Sequence, residues 1–367
     1  MAPLRIGING LYMIPGGVGG TEVYLRSLLM ALAKKPRGHS YVVFLNRETA
    51  ADIVPKSPLF TAVETGVAAT SRPRRILYEQ SLLIRDARRA KLDVMFNPGF
   101  TAPHFVGVPN VTIIHDLQHH RHPEYFKQSD LLAWRFLVWA AIRGSRRLVA
   151  VSEATREDIH AVYGTPADRI HVAEPGVEPE LFSINRKAEE AMILCVSTLH
   201  PHKNIERLVD AFAAFRPRRP EYRLVLAGMP GFHGEAVQRR IDHHSLGAYV
   251  TRTGWVSRAE ILDLYARARM AVFPSTFEGF GMPVAEAMAA GVPLITSDIR
   301  PMKDIAGGAA LLFPPAETEA LTAAMEQLAA SASLRAMYAG RARKQAAGFT
   351  WDRTAAVTLD ALERAAR

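Results

Sequence analysis

Cysteine is almost absent. Cys195 is the only one in 367 residues, so no disulfide can form within the chain, which suits a reducing compartment. No apolar run approaches the roughly 20 residues of a membrane-spanning helix. The first apolar run, Leu4–Gly10, has no positively charged leader before it, so it reads as a strand and not as a signal peptide. A repeat with a period of roughly 20–50 residues is missing, and so is a low-complexity tract, which excludes a solenoid. Nucleic-acid motifs are missing too, and no nucleic-acid partner is expected. The net charge of +9 then reads as a solvated basic face, open to anionic lipid or a phosphorylated ligand. These absences leave a cytoplasmic, globular chain, too long for one ordinary core and of a length that suits two.

Short apolar runs recur between helix-like stretches. Leu4–Asn9, Tyr41–Leu45, Asp93–Asn97, Asn110–His115, Arg147–Val151 and Ile170–Val172 form one series. A charged stretch with Pro175, Gly176 and Pro179 follows, and the pattern restarts. Ala191–Val196, Arg223–Ala227, Val250–Thr253, Met270–Phe273 and Val292–Thr296 form the second series. Strands alternating with helices predict parallel sheets covered on both faces. The expected architecture is α/β: two doubly wound, Rossmann-like domains, residues 1–175 and 188–345, facing a central cleft.

Several segments carry chemistry. Gly16, Gly17, Gly19 and Gly20 crowd a loop between the first strand and an amphipathic helix, Thr21–Ala33. Glycines let backbone approach a ligand, and a helix N-terminus attracts anions. The segment does not fit G-x-G-x-x-G in its dinucleotide context, and as a bare loop it reads equally as surface chain. His115 ends a strand, where ligands of such sheets bind, and can hydrogen-bond a sugar hydroxyl. His119, His120 and His122 follow at spacings that match no familiar zinc pattern, so they read as polar loop residues and no metal is expected. His202 and Lys203 precede a helix, Asn204–Phe215. A lysine there is unfavourable for the dipole but well placed to reach a diphosphate.

The most informative segment runs from Phe277 to Ala287. Gly279 and Gly281, with Phe280 and Met282 in the same turn, expose backbone N–H groups ahead of a helix with Pro283 in its first turn, a suitable diphosphate cradle. Glu278 lies in the turn and Glu286 about one turn into the helix. Helix-dipole complementarity accounts for Glu286 alone, but not for two glutamates eight apart around this turn.

At these positions the chain resembles glycosyltransferase family 4, retaining enzymes with the GT-B fold. The likeness runs in order through the Gly16–Gly20 loop, Thr112–Asp116, Val149–Glu153, Pro175–Val177, Pro201–Asn204, Ala227-Gly228, Thr253–Val256, Phe277–Ala287 and Ala290–Pro293. The Glu278/Glu286 pair is its most specific element. The resemblance implies a hexosyltransferase that uses a UDP- or GDP-linked sugar of mannose or glucose type and holds no permanent cofactor. It implies that the Gly16–Gly20 loop closes on the donor diphosphate and acceptor and that His115 touches the transferred sugar. It assigns the diphosphate to Lys203, the sugar hydroxyls to Glu278, the ribose to Glu286, and backbone donors to Gly279–Met282. The acceptor would be a glycan or a lipid-linked sugar, and helix 351–367 would pack back on the first domain. One departure stands out. His202 and Ser197 occupy places where relatives carry arginine. Either His202 is protonated beside the diphosphate, or Arg207 or Arg252 helps, or donor binding is weak.

Arg72, Arg74 and Arg75 precede a helix-like stretch, Ile76–Lys91, with a basic side of Arg85, Arg88, Arg89 and Lys91. It reads either as an ordinary surface helix or as a peripheral contact with the inner face of a membrane. Three rival functions stay open at this point: a silent binding protein of the same fold, a sugar-nucleotide epimerase, and a metal-dependent hydrolase built on the histidines.

Overall fold

The computed structural model describes residues 2–17, 19–35, 37–104, 107–186 and 189–367. Val18 of the glycine loop and the expected boundary residue Ala188 lie outside the described residues. The chain forms two compact units. One comprises Met1–Gly176 with Thr350–Arg367, the other Val177–Phe349.

The first unit is built on seven parallel strands: β1 Arg5–Gly10, β2 Ser40–Leu45, β3 Phe60–Glu64, β4 Val94–Asn97, β5 Asn110–Ile114, β6 Arg147–Ala150 and β7 Ile170–Val172. Their order is β3-β2-β1-β4-β5-β6-β7. The inner strands read as continuous apolar runs because helices cover both faces; β4 and β5 are buried throughout. β3 is absent from the sequence expectation. It is an edge strand with mostly exposed side chains and so has no apolar run to read. The expected helix Ile76–Lys91 is a further correction. Two helices, Arg72–Gln80 and Leu82–Arg89, replace it. Ser81 breaks them, its hydroxyl donating back to the Leu77 carbonyl at 2.5 Å, a local bond that competes with the helical ladder.

Helix Trp351–Ala366 belongs to this first unit. Its buried face, with Leu359 and Leu362 at its centre, packs on helix Gly20–Lys34 and on the sheet. Thr354 donates to the Glu174 carbonyl at 2.6 Å, and Arg37 pairs with Asp360 at 2.6 Å.

The second unit has six parallel strands: β8 Glu190–Val196, β9 Arg223–Ala227, β10 Val250–Gly254, β11 Ala268–Phe273, β12 Leu294–Ser297 and β13 Leu311–Phe313. Their order is β10-β9-β8-β11-β12-β13. β13 also escapes the sequence reading, since three residues carry no periodicity. Both sheets reverse strand order between their first and fourth strands. Chains leaving the carboxyl ends there diverge and open a crevice, the usual ligand position in such sheets. Among the described residues, no helix is long and apolar enough to cross a membrane.

Candidate active site

In the second unit the reversal lies between β8 and β11, which pair directly. The loop after β8 carries His202 and Lys203. The loop after β11 carries Ser275 to Gly281. Topology therefore brings together residues 75 apart in sequence: the Lys203 ammonium lies 2.6 Å from Glu278 Oε1. Ser275 donates to the same oxygen at 2.7 Å. Two further bonds tie the loops. The Thr276 N–H donates to the His202 carbonyl at 2.7 Å. Asn204, in a left-handed conformation with φ 56°, donates to the carbonyls of Pro274 at 3.1 Å and Pro315 at 2.9 Å. Asparagine tolerates that conformation better than most residues.

Burial by itself would push the Glu278 carboxyl up. The charges of Lys203 and His202 outweigh it, and its pKa falls below the ordinary value. Glu286 is shifted the other way. It sits on helix Met282–Ala289, where burial raises its pKa against the opposing pull of Arg258. Tyr265 donates its hydroxyl to Glu286 Oε2 at 3.2 Å, and Arg258 reaches Oε1 at 3.5 Å. Arg258 is shared with Glu178 and Glu180, each at 2.5 Å. Two carboxylates eight residues apart thus occupy opposite electrostatic environments, a common mark of functional sites. Gly281 caps the helix with φ 104°, a conformation that favours glycine, and a Cβ there would have to displace the Met302 sulfur, 2.8 Å away.

In the first unit His115 follows β5. Its Nε2 donates to the Pro98 carbonyl at 2.8 Å, since a carbonyl can only accept. This leaves Nδ1 as the acceptor nitrogen of a neutral ring. The ring packs between Tyr24 and Phe100, at centroid distances of 5.3 and 5.0 Å. Burial there lowers its pKa to about 4, against the raising effect of the Pro98 bond. In the glycine loop Gly16 and Gly19 have φ of 71° and 58°, with open space where a side chain would stand. The Gly16 N–H donates to Glu22 at 2.7 Å, Gly19 is the N-cap, and helix Gly20–Lys34 starts directly after it.

The model of the family described as glycosyl transferases group 1 matches residues 177–345, and that of glycosyltransferase family 4 matches residues 18–181. The chain belongs to the group 1, family 4 glycosyltransferases. Among curated relatives of this glycosyltransferase is O-antigen chain mannosyltransferase B of Escherichia coli, 27% identical over 79% of this chain and 81% of that protein. Another is the D-inositol 3-phosphate glycosyltransferase of Paenarthrobacter aurescens, 26% identical over 95% of this chain and 94% of that one. Solved structures share the fold. Sucrose-phosphate synthase from Thermosynechococcus elongatus has a TM-score of 0.79 at 20% identity, covering 98% of both chains. Anabaena HepE, solved with UDP and glucose, has a TM-score of 0.76 at 20% identity, covering 98% of this chain and all of that one. The fold is GT-B, with two Rossmann-like domains.

Other residues of the glycosyltransferase have partners of their own. Arg207 donates to the Thr318 hydroxyl at 2.9 Å and Arg252 to the Gln238 amide oxygen at 2.8 Å. His119 and His120 are not loop residues. They lie in a helical turn, Gln118–Arg121, with their Nε2 atoms 3.3 and 2.8 Å from the Tyr163 hydroxyl. Among the described residues no group of three or more His, Cys, Asp or Glu is arranged to hold a metal ion. Sequence reasoning missed Ser275, Thr276, Tyr265 and Arg258. Only the last left a readable trace: it follows Ser257, which forms a capping box with Glu260 at the start of its helix.

Proposed function

We propose that this glycosyltransferase is a retaining enzyme that moves a hexose of mannose or glucose type from a UDP- or GDP-linked donor to a hydroxyl of a glycan or lipid-linked acceptor. Residues 188–345 serve the donor and residues 1–175, with helix 351–367, the acceptor. The observation that carries this reading is the Lys203–Glu278 contact at 2.6 Å at the β8/β11 reversal, with Glu286 on the helix that follows the Glu278 turn. In this reading Lys203 turns to the leaving diphosphate when a donor binds, with His202 beside it. The N–H groups of Gly279, Phe280, Gly281 and Met282 add preorganised donors, and the loop of Gly16, Gly17, Gly19 and Gly20 closes over the diphosphate. Glu278 then takes sugar hydroxyls and Glu286 the ribose diol. His115 offers Nδ1 to a sugar hydroxyl.

The bond from the anomeric carbon to the diphosphate oxygen breaks through an oxocarbenium-like transition state. The acceptor oxygen enters on the face the diphosphate leaves, and its proton passes to a phosphate oxygen. No covalent enzyme nucleophile is needed. The carboxylate of Glu278 is committed to binding the sugar hydroxyls.

The test is proton NMR of the first glycoside formed from UDP-glucose or GDP-mannose with an acceptor. The expected product keeps the donor's anomeric configuration, and a chelator does not slow its formation. An inverted anomer contradicts retention. A new nucleotide sugar made without acceptor would mark an epimerase. His202 in place of arginine favours one second reading, a silent binding protein, for which no donor would be consumed at all.

A change at His115 should act without a pH signature. Because its ring stays neutral down to about 4, the pH–rate profile is expected to show no limb from this group between about pH 5.5 and 8. His115→Ala is expected to lower kcat/KM about tenfold or more through the lost hydrogen bond. Unchanged kcat/KM in that variant would remove His115 from the site.

A further inference from the structure

A cavity of about 560 Å³ opens between helices Arg72–Gln80 and Gln128–Gly144 of the first unit. Its walls are mostly apolar, with Ile76 and Leu77 facing Trp134, Phe136 and Leu137. Ligand pockets commonly have such a lining and volumes of roughly 300–1,000 Å³. Helix Gln128–Gly144 is apolar on opposite sides. Val138, Ala141 and Ile142 are buried, yet Leu132, Phe136 and Trp139 stay 67%, 63% and 43% exposed. Leu77, 70% exposed, extends the patch from the other wall. A helix that is apolar all round is normally covered, and clustered exposed apolar side chains mark a binding surface.

The cavity is cationic at one end. Arg72, the arginine of the lining, stands in the first turn of its helix, which holds no acidic residue, at the dipole end where a cation is unfavourable. Arg72 lies over the Trp134 ring, 5.4 Å from its centroid. Asp130 is the one acid in the lining. From Trp134 a line of rings leads inward: Phe100 at 6.0 Å, then His115 at 5.0 Å from Phe100. An apolar slot with Arg72 in its wall fits a single amphiphilic molecule.

We infer that this groove binds the hydrocarbon tail of an amphiphilic acceptor, with the tail between the two helices and an anionic, phosphate-type head at Arg72. The inference deepens the acceptor half of the proposed function and rests on that reading.

The test uses the full chain and dodecyl phosphate below its micellar concentration, with inorganic phosphate and dodecyl maltoside as controls. Saturable binding of one dodecyl phosphate per chain is expected, with a fluorescence change that Trp134→Phe abolishes. Leu77→Asp and Phe136→Asp alter exposed positions, so the fold should survive, which circular dichroism checks. Each is expected to weaken binding at least tenfold. Arg72→Gln should weaken dodecyl phosphate about tenfold and leave dodecyl maltoside unchanged. The inference is overturned if dodecyl phosphate does not saturate, or if both aspartate variants bind it like wild type. It also falls if only phosphatidylglycerol vesicles bind, which would make the patch a membrane surface, or if the patch serves only self-association of the chain. Nucleotide binding measured on the same variants separates the two readings. Tail binding without nucleotide binding would sink the donor assignment and leave the groove standing.

Discussion

Lys203→Ala is expected to lower kcat by about 100- to 1,000-fold, the usual loss when one preorganised donor to a developing anion is removed. The variant should also change how stability depends on pH. In the native protein the Glu278 pKa is depressed, so its contribution is present above the unfolded carboxylate value of about 4.3 and is lost as pH falls through the folded value. Without Lys203 the largest lowering influence is gone and burial pushes the carboxyl up. Ionised Glu278 then opposes folding above about pH 4.3, and the deficit against wild type should be widest near neutrality and shrink in acid. Melting temperatures from about pH 3 to 7 check this. A constant deficit would mean that the ion pair is not what positions Glu278, and unchanged turnover would remove Lys203 from the chemistry.

Glu286→Gln should separate stability from binding. The folded pKa of Glu286 is raised by burial, so keeping it ionised costs stability as pH rises above the unfolded value. Glutamine removes that cost. Arg258 still has Glu178 and Glu180 as partners, so the substitution strands no charge. The unliganded variant is expected to melt at or above the wild-type temperature at pH 7. Its affinity for the donor nucleotide is expected to fall about 10- to 100-fold, since hydrogen bonds to a charged group contribute roughly 1.5–3 kcal/mol. Calorimetric titration with the nucleotide decides the matter. Wild-type affinity would show that Glu286 holds no part of the nucleotide.

The two parallel sheets were legible because strands buried on both faces, such as Val94–Asn97 and Ile193–Val196, appear as unbroken apolar runs. β3 and β13 were not: one is an exposed edge, the other is three residues long. The break at Ser81 was invisible because a serine within an amphipathic stretch does not announce that its hydroxyl will compete with the helix. At the candidate site, the motifs around Lys203, Glu278 and Glu286 could be read as loops between strands and helices. Their contact could not, because it depends on strand order, which places β8 beside β11 across 75 residues. Arg258 and Tyr265 carry no motif of their own, and only packing reveals that both converge on Glu286.

Residues 188–345 are proposed to bind a nucleotide-diphosphate sugar through Lys203 and Glu286. Thermal unfolding with UDP, GDP, ADP and CDP tests it most directly. A bound nucleotide at 100-fold its Kd adds about 2.7 kcal/mol of stability. One base is expected to produce this shift, a chelator to leave it unchanged, and Lys203→Ala and Glu286→Ala each to reduce it sharply. No shift with any nucleotide, or a shift that survives both substitutions, would contradict it.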